Sequence, residues 1–173
     1  MVRVITVAAL LFMSFFYVAI GAQNANGSAC TSPEYQQFDF WVGDWNVYDV
    51  NNKLIGTNTI LAMPNACAIQ ENWTSQNNAS LGTSYSYYDN TDKKWHQLWI
   101  DNKGYVLATK GKFEGNKMIL SSDLVTSSKG DYYNRITWIH NADGTVTQIW
   151  DFVSPKNKIL REAFRGIYKK KKS

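Results

Sequence analysis

The sequence predicts an all-β protein, an antiparallel up-and-down barrel of about ten strands preceded by one short helix. Three observations point to it. From Asp44 onward, short alternating segments are separated by clusters of turn-forming residues. Seven Trp and ten Tyr in 173 residues favour pleated surfaces, on which broad rings pack well. The connections are short, so neighbours in sequence pair in space, and closing such a meander leaves no open edge. The length suits one domain with a substantial core, and a two-sheet sandwich is the rival architecture.

The elements follow in order. Ser32-Pro33-Glu34 opens a short helix, with serine as the cap and proline in the first turn, and Gly43 stops it. It is the only helix expected in the mature chain. "DWNVYDV" begins the strands and ends at the turn "NNK". "LIGTNTILA", "CAIQENWTS" and "GTSYSYYD" come next, and "NTDKK" turns the chain into "WHQLWID". "NKG" leads to "YVLATKGKFEG", then "KMILSSDL" precedes the polar loop "VTSSKGD". "YYNRITWIH" and "TVTQIWDFV" flank "NADG", a strong hairpin signal, and "ILREAFRGIY" is last.

Turn parity assigns faces. Pairing of Tyr88 with Trp95 sets Ser84, Ser86 and Tyr88 on one face with Trp95, Gln97, Trp99 and Asp101. A two- or four-residue loop at "NADG" sets Arg135, Thr137 and Ile139 beside Val146, Gln148 and Trp150, with Ile136 and Trp138 on the opposite side. The faces that mix rings with polar groups are taken as inward, because ligand cavities combine apolar walls with a few placed polar groups.

The chain begins with one positive charge, an apolar run from Val4 to Ile20, and small residues at Gly21 and Ala22. This is the layout of a secretory signal peptide over 1–22, with an uncleaved anchor as the alternative. The remaining organisation is an N-terminal segment with the short helix (23–37), a barrel domain (38–168) and a basic tail (169–173). The protein is therefore expected to be secreted or periplasmic, with no stable membrane insertion once the leader is removed. Export to an oxidising compartment allows Cys30 and Cys67 to pair, closing a loop of about 37 residues; two unrelated buried thiols are the alternative. Two Cys and two His show no metal-ligand spacing, so no metal site is expected. Sequons stand at Asn26, Asn72 and Asn78, of use only in a eukaryotic secretory pathway.

The formal net charge is +4, but setting aside Arg3 and Lys169 to Lys172 leaves 13 basic against 14 acidic residues. The folded body is near neutral, which argues against nucleic acid as a partner and makes the lysines a solvated tail. Oligomeric state is not encoded in any pattern.

"FDFWVGDW", Phe38 to Trp45, places a G-x-W motif between the helical turn and the first strand. This resembles the lipocalin opening, in which the glycine permits a close approach and the tryptophan covers the closed end of the barrel. By that resemblance Gly43 and Trp45 close the barrel, with Arg165 as the cation over the indole. The chain is more widely similar to a family of secreted, lipocalin-like (calycin-type) bacterial proteins with an F-D-F-W-x-G-x-W opening. The matching stretches are "PEYQQFDFWVGDW", "CAIQENWT", "GTSYSYYD", "KWHQLWID" and "FRGIY", the last resting on Phe164, Gly166 and Tyr168. The resemblance implies a ten-stranded barrel, favours pairing of Cys30 with Cys67, and implies no particular activity.

The candidate ligand site is built from the mixed faces. Trp73, Trp95, Trp99 and Trp150 supply walls, with Tyr88 on the same face as Trp95 and Trp99. Ser84, Ser86, Gln97 and Gln148 supply hydrogen bonds. Arg135, if inward, needs an acid such as Glu71 or a ligand carboxylate beside it. The alternative is that these side chains fill a solid core with Arg135 outside. No nucleophile elbow, phosphate loop or zinc helix is present, and Glu71, Asp101 and His96 form no spaced acid–base constellation. No cofactor is expected; the resemblance of the architecture to nitrobindin-like barrels makes haem on His96 the alternative. The function expected is binding of a small, partly hydrophobic molecule. The rivals are an isomerase or hydrolase acting in the same barrel, and a structural or interaction module without a ligand.

Overall fold

The computed structural model describes residues 30–172. The leader, its cleavage point and Asn26 lie outside the described residues. Ten strands are present: β1 (Gly43–Tyr48), β2 (Leu54–Ala62), β3 (Ala68–Ser75), β4 (Leu81–Asp89), β5 (Lys94–Asp101), β6 (Val106–Glu114), β7 (Lys117–Ser121), β8 (Tyr133–His140), β9 (Val146–Val153) and β10 (Ile159–Lys170). Each pairs antiparallel with its chain neighbours, and β1 pairs with β10, so the sheet closes into a barrel as the sequence predicts. The sandwich is thereby excluded.

The segment before β1 is two 3-10 turns, Pro33–Gln36 and Asp39–Trp41. A third, Pro64–Ala66, lies between β2 and β3, where no helix was expected. It is a tight turn and no regular helix: the Ala66 N–H donates to the Met63 carbonyl at 2.9 Å, Pro64 and Asn65 fill the two central positions, and Asn65 and Ala66 have left-handed φ of 63° and 54°. At the other end, β10 continues through Lys169 and Lys170, which pair with Asn46 and Trp45. The first two residues of the basic tail are thus strand, with their side chains exposed.

Inside the barrel, alternate residues form two zones. One end is plugged by the N-terminal segment. Phe38 packs on Trp41, Trp95 and Trp138 with ring centroids 5.0–5.6 Å apart, and all four side chains are buried. Trp45 is fully buried beside them, its indole nitrogen donating to the Trp41 carbonyl at 2.8 Å. Truncating one such ring typically costs about 3–5 kcal/mol, so this cluster contributes strongly to packing stability. The Cys30–Cys67 disulfide, with Cα atoms 5.1 Å apart, ties the plug to the start of β3. Among the described residues no cysteine is free, and no helix is long and apolar enough to cross a membrane.

The closure differs from expectation in one residue. Gly43 has φ +141°, a backbone conformation suited to glycine, and lies against the Lys170 side chain. The cation over the Trp45 ring is Lys170, at 5.3 Å, and not Arg165. Arg165 sits on the outer face, where its guanidinium pairs with Glu162 at 2.5–3.1 Å. The parity of β10 explains this: Phe164, Gly166 and Tyr168 point inward, so Arg165 must point out.

Candidate functional site

The half of the barrel away from the plug is hollow. Its cavity has a volume of about 340 Å³. Trp73 on β3, Trp99 on β5, Trp150 on β9 and Phe164 on β10 form its walls, with Leu107 and Ile136 between them. Local sequence makes room for two of the rings. The indole of Trp73 lies over Gly56, and that of Trp99 over Gly82, where a Cβ would come within 2.4 and 2.1 Å of ring atoms. Trp150 is held by its indole nitrogen, which donates to Asn134 Oδ1 at 2.9 Å, and Phe164 meets Trp73 edge-on at 6.1 Å. Asp101 and Tyr105, at the β5–β6 turn, stand at the mouth.

The floor is polar and connected. Glu71 is only 4% exposed. Its Oε1 accepts from Asn58 Nδ2 at 2.7 Å, and its Oε2 accepts from Ser84 Oγ at 2.7 Å. Asn58 Nδ2 also donates to the Tyr168 hydroxyl at 3.3 Å, and Tyr168 in turn donates to Gln148 Oε1. Gln97 Nε2 donates to Ser84 Oγ at 3.2 Å and to Ser86 Oγ at 3.1 Å. Burial dominates the electrostatics. It lifts the Glu71 carboxyl from its ordinary range to about 7, even though the donors from Asn58 and Ser84 pull the other way. Burial and the neighbouring Glu71 charge push the Tyr168 phenol well above its usual value.

Six candidates from the sequence meet here: Glu71, Trp73, Gln97, Trp99, Gln148 and Trp150 all line the cavity. Ser84 and Ser86 belong to the buried network beside it. Tyr88 and Trp95 share the inward face, but near the plug. Trp95 donates to Gln37 Oε1 at 3.1 Å, and Tyr88 meets Tyr35 edge-on at 5.4 Å, so neither lines the cavity.

Arg135 is outside the barrel. Its Nη1 donates to Asn157 Oδ1 at 2.9 Å, and Nη2 lies 3.9 Å from Asp151. The turn at "NADG" accounts for the difference. Gly144, at φ +78°, follows a turn closed by its own N–H to the Asn141 carbonyl, and Asn141 donates to Thr145. The loop is therefore Ala142-Asp143-Gly144, three residues with a glycine bulge, and the odd count reverses the parity. Ile136 and Trp138 consequently pair with Trp150 and Gln148 on the inner face, and Arg135 pairs with Asp151 on the outer. With Arg135 goes the need for a ligand carboxylate.

His96 also points outward. Its Nε2 lies 3.0 Å from Asp92 Oδ2, and its ring stacks on Tyr87 at 5.3 Å. That takes it out of the interior, where a haem held within the barrel would need it. Comparison with models of known families finds no match to this chain, and comparison with curated proteins finds no relative.

Two floor residues escaped the sequence reading. Asn58 sits in "LIGTNTILA", where an asparagine flanked by threonines reads as solvent-facing; only the alternation with Gly56 and Ile60 marks it as inward. Tyr168 was noted in the "FRGIY" match, but its link to Asn58 spans 110 residues of sequence. Phe164 belongs to the same match and forms a wall.

Proposed function

We propose that this protein is an exported, lipocalin-like barrel that binds one small, partly hydrophobic molecule in the cavity over Glu71. A single observation carries the reading. About 340 Å³ of space is framed by four aromatic side chains above a floor of hydrogen-bonding groups, the composition typical of ligand sites. Export is supported by the leader pattern and by the Cys30–Cys67 bridge, a bond that persists in oxidising compartments. The lipocalin likeness is supported by the G-x-W motif and by the place of Trp45 at the plugged end.

Binding fits better than catalysis. Both oxygens of Glu71 are engaged by Asn58 and Ser84, and among the described residues no histidine or cysteine lines the cavity to act with it.

Native mass spectrometry of the protein from its own source, with thermal melts against a panel of small hydrophobic molecules, tests the reading. A retained mass or a raised Tm is the expected result. Neither a bound mass nor any stabilising compound would leave a structural barrel.

A further inference from the structure

The chemistry of the ligand is written in the charges around the cavity. Among the described residues that line it there is no lysine, arginine or histidine, yet there are two carboxyl groups, Glu71 on the floor and Asp101 at the mouth. The ion pairs of the described residues all lie elsewhere, and none includes Glu71. A buried carboxylate without a counter-cation is costly, and two neutral donors offset only part of that cost.

The hydrogen-bond directions add a second acceptor. With Glu71 in its carboxylate form, Ser84 spends its single proton on Glu71, so toward Gln97 it can only accept. That fixes the Gln97 amide with its nitrogen on the serines. Gln97 is 6% exposed and lines the cavity, and its Oε1 accepts from no group among the described residues. The same logic fixes Gln148, whose oxygen takes the Tyr168 proton and whose nitrogen remains as a donor suited to a ligand oxygen. Trp73, Trp99 and Trp150 line the same space, and indole rings attract cations.

We propose that the cavity takes a small organic cation, a protonated amine or quaternary ammonium on an aromatic or aliphatic body, with its nitrogen directed to Glu71 and its body between the tryptophans. This rests on the reading of the barrel as a binding protein and names the class of its ligand. The cation supplies the charge partner that Glu71 lacks. Binding is then linked to protons: the empty site holds Glu71 near the midpoint of its titration at neutral pH, and the cation favours the carboxylate. The other titratable groups facing the cavity are Asp101, Tyr105 and Tyr168, while β2 and β4 present uncharged Asn58 and Ser84 to Glu71.

The test uses three compounds that share one ring: 2-phenylethylammonium, 2-phenylethanol and 3-phenylpropanoate. Each competes at pH 8 with the uncharged fluorophore N-phenyl-1-naphthylamine. The ammonium compound is expected to bind at least about tenfold more tightly than the alcohol, with the carboxylate weakest, and to lose about tenfold in affinity between pH 8 and pH 6. Glu71→Gln is expected to erase the preference for ammonium over alcohol while still binding the fluorophore. Equal or tighter binding of the alcohol or the carboxylate overturns the proposal and leaves the binding reading intact. A preference retained in Glu71→Gln overturns the role of Glu71. If the fluorophore and all three compounds fail to bind, both readings fall. Should Glu71→Gln not fold, the ranking and its pH dependence in the parent protein decide alone.

Discussion

The indole of Trp99 rests on the bare Cα of Gly82, where a Cβ would come within 2.1 Å of the ring. The wall of the cavity is therefore set by an absent side chain on the neighbouring strand. Gly82→Ala is expected to cost about 1–3 kcal/mol by overpacking and to push the indole into the cavity. Urea melts and ligand titration check both effects, and an unchanged midpoint with unchanged affinity would show that the seat is not tight.

Trp99 and Gln97 lie two residues apart on β5 and should respond differently to substitution. Trp99→Ala removes wall area and is expected to weaken a ligand strongly. Because the ring already borders open space, the stability loss should fall below the roughly 3–5 kcal/mol of a ring in solid core. Gln97→Leu strips Ser84 and Ser86 of a donor inside the barrel, and about 1–3 kcal/mol of stability should go with it. Paired thermal melts and binding curves separate the two; a Gln97→Leu variant as stable as the parent would show that the amide network is dispensable.

Glu71 should make stability depend on pH in an unusual direction. Its carboxyl is held near 7 when folded and returns toward 4.5 when the chain unfolds. The contribution is fully present below about 4.5, where both states hold the proton, and is lost as pH rises through 7, where only the buried carboxylate is penalised. The loss is on the order of 3 kcal/mol. Glu71→Gln should flatten this slope. Denaturant melts between pH 4 and pH 8 measure it, and a parent slope no steeper than that of the variant would contradict the account.

Breaking the Cys30–Cys67 link by Cys67→Ser should lower stability by about 3–4 kcal/mol on the loop-entropy scale. Thiol titration of the unfolded, unreduced parent should find no free cysteine. Two reactive thiols would refute the bridge directly.

The strands were legible because each obeys a period of two and ends at a turn-forming cluster; β2, read as "LIGTNTILA", matches its observed limits residue for residue. Faces were legible only where the loop count was. Tyr88 does pair with Trp95, so Ser84, Ser86, Gln97 and Trp99 fall on one inner face. At "NADG" the bulge at Gly144 adds one residue, and Arg135 moves from the expected site to the surface. The floor was harder, because it is assembled from side chains of six strands. Glu71 contacts Asn58 and Ser84, each 13 residues away, while Tyr168 arrives from the last strand. Strand periodicity shows that a residue points inward and says nothing of what it meets there. The glycine seats at Gly56 and Gly82 were hidden for the same reason, since their occupants belong to the adjacent strands.

The plug of Phe38, Trp41, Trp45 and Trp138 has a kinetic consequence. With that end sealed by interlocked rings and tied down by a disulfide, the hollow half is a blind tube. Water displaced by an arriving molecule has to leave through the opening by which the molecule enters, and nothing can pass straight through. For the proposed binding function, exchange is then expected to be governed at one place, the rim where Tyr105 stacks on Trp150 at 6.2 Å, and changes in the plug are expected to alter how long the barrel lasts before they alter how fast it fills.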